Sequence, residues 1–288
     1  MIAIFKREFR SYFHSMIGYV FLAFMLCFIG IYFIMANVLS GYPFVGAILP
    51  NVIFIFMFAF PILTMRSMSE ERHTKTDQLL LTSPITVPQM VLGKFFGMAA
   101  VYGICCLATA ILPLIMLMMP YHQTVVDYGC LLAFFLLGCV YIAIGMFISA
   151  LTESQFIAAV LSIVCFLVMY LAPSLVSFVP NTAAGSFGAF IVIITVIAVI
   201  YLIQSRNLYV SLIIEAVGVV AIGLLYRFKT DAFDGLIQKI VNELTLMNPI
   251  EMFCGYAMFD LSGIVYYLSL IIFFVVLTVL AVQKRRWN

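Results

Sequence analysis

The sequence predicts an all-α polytopic membrane protein of about eight transmembrane helices, an N-terminal interfacial helix and both termini on the cytoplasmic side. Three observations carry this reading. Hydrophobic residues make up 66% of the 288 positions and charged residues 9%, whereas a soluble domain is nearer half apolar and a quarter charged. The apolar residues gather into stretches of about the ~20 residues that cross a hydrocarbon core as a helix. Cations then divide unevenly between the loops. Transmembrane β-barrels alternate apolar and polar residues over short segments; these runs are apolar on all faces, which selects helices.

Taken in order, the spans fall at Ile17–Leu39, Ala47–Met65, Phe95–Met119, Tyr128–Leu151, Phe156–Val179, Phe187–Ile203, Leu208–Tyr226 and Ile264–Val282. Pro50 and Pro61 predict a kink in the second. The sixth and seventh are short, and two readings of them stand: a pair of full spans, or a hairpin that enters without crossing. Ahead of the first span, Ile2, Phe5, Phe9, Tyr12 and Phe13 recur at helical spacing, with Lys6, Arg7, Arg10 and Ser11 on the other face. That pattern suits a helix lying in the membrane interface with its cations near anionic headgroups. These charges precede an apolar run too long for a signal peptide, with no small-residue cleavage pattern, so the segment is expected to remain in the protein. With the N-terminus inside, eleven of the fourteen cationic residues lie on the inner side, leaving Arg227, Lys229 and Lys239 outside with a surplus of acids. Cytoplasmic loops carry such an excess.

The long charged segment Arg66–Lys94 stands out among the loops. Ser69-Glu70-Glu71 predicts a helix start with a capping hydroxyl followed by acids. Leu79, Leu80 and Leu81 form an apolar cluster that needs a partner surface or the membrane interface. Ser83-Pro84 ends that helix, and Pro88 opens a second one that enters the third span. On the outer side, Leu236, Ile237, Ile240, Val241 and Leu244 predict an amphipathic helix within Arg227–Gly263.

Several chemistries are excluded. No phosphate-binding G-x-x-x-x-G-K-[ST] loop, H-E-x-x-H or G-x-S-x-G occurs. No metal site or catalytic group is therefore assigned. The seven cysteines read as apolar fillers at or within spans, save Cys254, which stands alone in a loop. Glu215 is the one clear ionisable residue inside a span, roughly 10 Å beyond Leu208 at 1.5 Å per residue. It is read either as a pathway or proton-coupling residue or as a buried acid bonded to a neighbouring helix. Gly93–Gly97 and the Gly145/Ser149 pair mark places where helices approach closely, within the chain or between subunits.

The loop Glu71-Arg72, Thr76-Asp77, Leu79-Leu80-Leu81-Thr82-Ser83-Pro84-Ile85 followed by Val91-Leu92-Gly93-Lys94 resembles the cytoplasmic loop of type-2 ABC transporter permeases, most closely those of the gliding-motility-associated branch. The run Phe259–Leu268 and the ending Gln283–Trp287 are similar to the same group. The resemblance implies a six-helix core, to which a hairpin at 187–226 is an addition. It divides the chain into a connecting helix at 1–15 and a permease domain at 16–288, with a coupling loop at 66–94 and an outer amphipathic segment at 227–263. It further implies that Glu70, Glu71, Arg72, Thr76, Asp77, Leu79 and Leu80 touch a separate ABC ATPase subunit, which carries ATP and Mg while this chain holds no cofactor. A second permease, identical or related, would complete an exporter in the cell membrane, with lipid around it and no nucleic acid. Two other readings remain: a subunit that transmits ATP-driven force to extracytoplasmic partners, and an ion-coupled transporter using Glu215. An integral membrane enzyme would need a polar cluster near one membrane face, which the sequence does not offer.

Overall fold

The computed structural model describes residues 1–74, 86–117, 124–205, 208–228, 233–256 and 258–286. Among them every regular element is helical and no strand occurs. In chain order these are α1 (Ile2–His14), α2 (Ile17–Phe33), α3 (Leu49–Thr64), α4 (Arg66–His73), α5 (Val87–Thr109), α6 (Leu112–Met116) and α7 (Thr124–Leu151). There follow α8 (Gln155–Ser177), α9 (Ala183–Ser205), α10 (Leu208–Phe228), α11 (Leu236–Leu244), α12 (Met247–Cys254) and α13 (Leu261–Arg286). Six helical stretches among the described residues are long and apolar enough to cross a membrane: Ile17–Leu39, Val45–His73, Val87–Met116, Thr124–Leu151, Gln155–Ser177 and Leu261–Lys284. The stretches at the sixth and seventh expected spans form α9, of 23 residues, and α10, of 21.

The chain divides into two units, Met1–Val168 with Leu246–Asn288, and Met169–Thr245. In the first unit α7 is the central post. Of its most apolar 18 residues 72% are buried, against 17% for α13, so α7 is enclosed by protein while α13 leaves most of its surface to lipid. Helices α3, α4, α5, α12 and α13 all pack on α7. The heart of this packing is aromatic. Phe56 lies 4.6 Å from Phe60 and 4.8 Å from Phe134 between ring centroids, and Phe60 lies 5.1 Å from Tyr102. Tyr141 stacks on Phe60 at 5.7 Å and meets Phe166 edge-on at 4.7 Å. Such offset and edge-to-face pairs follow from the ring quadrupole. The Tyr102 hydroxyl, buried here, donates to Phe134 O at 2.8 Å, as a polar group without water must.

Glycines set how near the helices come. A Cβ on Gly138 would stand 2.2 Å from the Tyr102 ring, and one on Gly145 would stand 2.3 Å from Thr64 Oγ1. Both residues lie on α7, two turns apart, and hold α5 and α3 against it.

Local breaks have local causes. After α2 the helix widens into a π turn over Ile34–Leu39. The buried Asn37 then donates Nδ2 to Tyr42 O at 2.7 Å and Phe44 O at 3.1 Å. Gly41, at φ +67°, supplies the left-handed residue of that turn. Pro50 occupies the first turn of α3, where its missing N–H costs nothing, and Pro61 lies inside the helix. Asp127 is buried at the start of α7; its carboxylate accepts the Gly46 N–H at 2.7 Å and ties the 3₁₀ turn Val45–Ile48 to that helix. Cys254 is not alone: its thiol lies beside that of Cys130, whose Sγ donates to Phe253 O at 3.2 Å. Both thiols are free.

In the second unit α9 and α10 pair along their length. Phe187 and Tyr226 meet at 4.8 Å with their rings tilted by 31°, and Tyr226 meets Phe233 edge-on at 5.7 Å. Helix α11 packs on α9, and Gln238 Nε2 donates to Val179 O at 2.7 Å.

Candidate coupling site

Helix α3 does not end in solvent. One residue, Met65, separates it from α4, so the chain turns without leaving helical geometry. A helix start leaves its first N–H groups without partners. Here the partner is supplied by α7: Ser149 Oγ accepts Met68 N–H at 3.1 Å and Ser69 N–H at 3.2 Å, and donates to Met65 O at 3.1 Å. A capping hydroxyl thus comes from a residue some eighty positions away. Ser69, expected to cap a helix of its own, lies inside α4 with its hydroxyl bonded to Met65 O. The helix begins at Arg66 because α3 delivers the backbone already wound and Ser149 satisfies the exposed donors.

Beside this turn sits a cluster of charges drawn from three helices. Lys94 of α5 is buried, with its side chain 2% exposed. Its ammonium lies 2.9 Å from Glu71 Oε1 and donates to Glu8 Oε1 at 3.2 Å and to Ser67 O at 2.8 Å. Arg7 of α1 bonds the same two carboxylates, each at 2.8 Å. Every buried charge therefore has a counter-charge, the condition under which burial is tolerable. Burial alone would lower the Arg7 pKa, but the hydrogen bond and charge of Glu8, and then of Glu71, outweigh it and hold the group above its usual value. Tyr12 donates its hydroxyl to Leu63 O at 3.0 Å. Burial first, then the Glu8 carboxylate, raises that hydroxyl well above the phenol range.

The Gly93–Gly97 pair explains why a lysine can sit here. A Cβ on Gly93 would stand 2.9 Å from Ile4 Cγ2, and one on Gly97 would stand 3.0 Å from Glu8 Cβ. The two glycines let α1 lie directly on α5, with Lys94 between them. This close contact is within the chain. A polar cavity of about 220 Å³ remains among these side chains, bordered by Arg7, Ser11, Arg66 and Glu70.

The sequence-predicted residues are placed as follows. Glu71 points inward between Arg7 and Lys94. Glu70 pairs with Arg66 on its own helix. Arg72 reaches across to Glu153, beyond the end of α7, at 2.9 Å. Thr76, Asp77, Leu79 and Leu80 lie outside the described residues. Glu215 is remote in kind: it lies on α10, and Thr195 Oγ1 of α9 stands 3.5 Å from its Oε1, long for a hydroxyl–carboxylate bond. Sequence reasoning missed Glu8 and Glu153, read Ser149 as a close-approach position but not as a cap, and placed Lys94 at the edge of a loop. The lysine held between two closely spaced glycines was the available signal.

An all-helical bundle with several spans of membrane length defines an integral, multi-pass membrane protein. The profile described as ABC-2 family transporter protein matches residues 43–282, and the chain belongs to that family: it is a permease subunit of an ABC transporter. The match is to the family as a whole and singles out no branch of it. No curated protein is found to match the chain. Among the described residues no group of three or more His, Cys, Asp or Glu could hold a metal ion.

Proposed function

We propose that this chain is the transmembrane half of an ATP-driven exporter in the cell membrane, and that it couples ATP hydrolysis on a separate ATPase subunit to movement of a substrate across or within the bilayer. ATP and Mg belong to that partner, and a second permease, identical or related, completes the assembly. The end of the bundle carrying α1 and α4 faces the cytoplasm. Segment 74–86, continuing from α4, is the part that meets the ATPase, with Leu79 and Leu80 seated in a groove of that partner.

The observation that carries this reading is the joint at Lys94. Whatever displaces segment 74–86 acts first on α4. Through Glu71 it pulls on α1 and α5, and through Ser149 on α7, the post against which the spans pack. Glu71 and Arg72 then belong to the joint rather than to the face shown to the partner.

The test is purification of the tagged full chain in mild detergent with identification of co-purifying subunits, followed by an ATPase assay. A stoichiometric ATP-binding subunit is expected. Arg72→Glu should depress ATPase activity in the assembled complex, and adding Glu153→Arg should restore it. Restoration assigns Arg72 to the joint, and failure to restore assigns it to the partner surface. A lone chain without ATPase activity overturns the reading and returns Glu215 as the residue to examine.

A further inference from the structure

Around α1, at ~100° per residue, three stripes follow one another. Ile4, Glu8 and Tyr12 pack on the bundle. Next comes an aromatic row in which Phe5 stacks on Phe9 at 6.1 Å, Phe9 meets Phe13 at 5.0 Å and Phe13 meets Tyr19 at 5.4 Å. Beside that row lie Lys6, Arg10 and His14, one turn apart and all exposed. Among the described residues none of these three enters an ion pair, in contrast to Arg7, Arg66, Arg72 and Lys94 of the same end.

At the Phe5 end of the aromatic row an open groove of about 630 Å³ begins at Ile2 and Phe5 and runs along α5 past Ala100 and Gly103 to Leu107, with Phe135 of α7 also lining it. Its walls are almost wholly apolar. From Phe96 to Leu107 the helix advances about 16 Å at 1.5 Å per residue, which matches one leaflet of a ~30 Å hydrocarbon core. Its small residues, Ala100 and Gly103, leave the space that a side chain would otherwise fill.

We propose that this groove holds an acyl chain of one anionic phospholipid, whose phosphate is met by Lys6 and Arg10. The two features belong together: a channel of leaflet length whose mouth lies beside cations free to receive a phosphate. An apolar segment of another protein would fit the groove but would leave the cations unmatched; a soluble anion would satisfy the cations but leave the groove empty. A phospholipid meets both.

The test is native mass spectrometry of the full chain, titrated with phosphatidylglycerol or phosphatidylcholine. Wild-type protein is expected to retain phosphatidylglycerol preferentially. Lys6→Gln and Arg10→Gln should each weaken that preference about fivefold, the factor equivalent to one interfacial cation. Gly103→Leu should lower retention of both lipids, since its Cβ would stand 3.7 Å from the Phe135 ring, an ordinary contact, with the rest of the side chain filling the groove. Ala100→Leu serves as a second filler should the first variant fold poorly. Equal retention of the two lipids by wild-type protein, or undiminished retention in the groove variants, overturns the proposal. So does disulfide-linked dimer from Gly103→Cys, which would show that a second copy covers the groove.

Discussion

Glu71 and Glu215 are both carboxylates in a chain built largely for lipid, and their surroundings differ in kind. Glu71 has two cations within 2.9 Å, both on other helices. Among the described residues, the polar atom that meets Glu215 is a threonine hydroxyl at 3.5 Å. A charge removed from water needs a counter-charge and hydrogen bonds to persist. At the α1/α4/α5 end those are supplied by side chains from three helices, and the result is a joint whose parts cannot move independently. The α9/α10 hairpin is held by ring and other close contacts instead. The first region is specified by matched charges and the second by apolar packing.

The largest expected effect follows from breaking that contrast. Lys94→Met removes a buried ammonium that both Glu8 and Glu71 meet, while the half-exposed Arg7 stays in place. Loss of one partner from a buried pair costs about 3–5 kcal/mol, so thermal unfolding of the detergent-solubilised protein should shift strongly downward. Glu215→Gln should leave the melting temperature close to that of wild type. Equal effects at the two sites would abolish the distinction drawn between the regions.

A second comparison uses glycines. Gly138→Ala forces a Cβ to within 2.2 Å of the Tyr102 ring, whereas a Cβ on Gly188 of α9 meets nothing within 4 Å. Overpacking of a tight contact costs about 1–3 kcal/mol, while alanine in place of glycine within a helix favours it by roughly 0.5–1 kcal/mol. Melting temperatures should therefore move in opposite directions. A stabilised Gly138→Ala variant would mean that α5 and α7 are not pressed together at Tyr102.

How much of this could be read from the chain depends on how far apart the cooperating residues lie. The spans were legible because lipid imposes a length and an apolar composition on each helix separately. The N-terminal helix was legible from the spacing of Ile2, Phe5, Phe9 and Phe13, and the start of α5 from Pro88. The α4 boundary was not: Ser69 has the chemistry of a cap, but the hydroxyl that caps belongs to Ser149, brought there by the packing of α7 on α4. The family of the chain could be suspected from its loop, yet the direction in which Glu71 points could not, because Arg7 and Lys94 flank it from opposite sides in sequence. Cys130 and Cys254 met for the same reason, through the packing of α12 on α7. Pairings between distant segments leave no local pattern.

The smallest effect concerns the start of α13, where a charge is held by hydrogen bonds from its own turn. Asp260 is half-buried, and its carboxylate accepts the Ser262 N–H at 2.9 Å, the Ser262 hydroxyl at 2.7 Å and the Gly263 N–H at 3.2 Å. The Ser262 bonds lead in holding its pKa below the ordinary aspartate value of 3.8. A depressed carboxylate pKa adds stability that is complete above the unfolded value and is lost as the pH falls through the folded one. Asp260→Ala should accordingly melt slightly below wild type near neutral pH, and the gap should narrow as the pH falls below about 4 towards the depressed folded value. A gap that stays constant across that range would show that the side chain acts by shape and backbone geometry. Its ionised carboxylate would then contribute nothing at the helix start, in contrast to the buried carboxylate of Glu71.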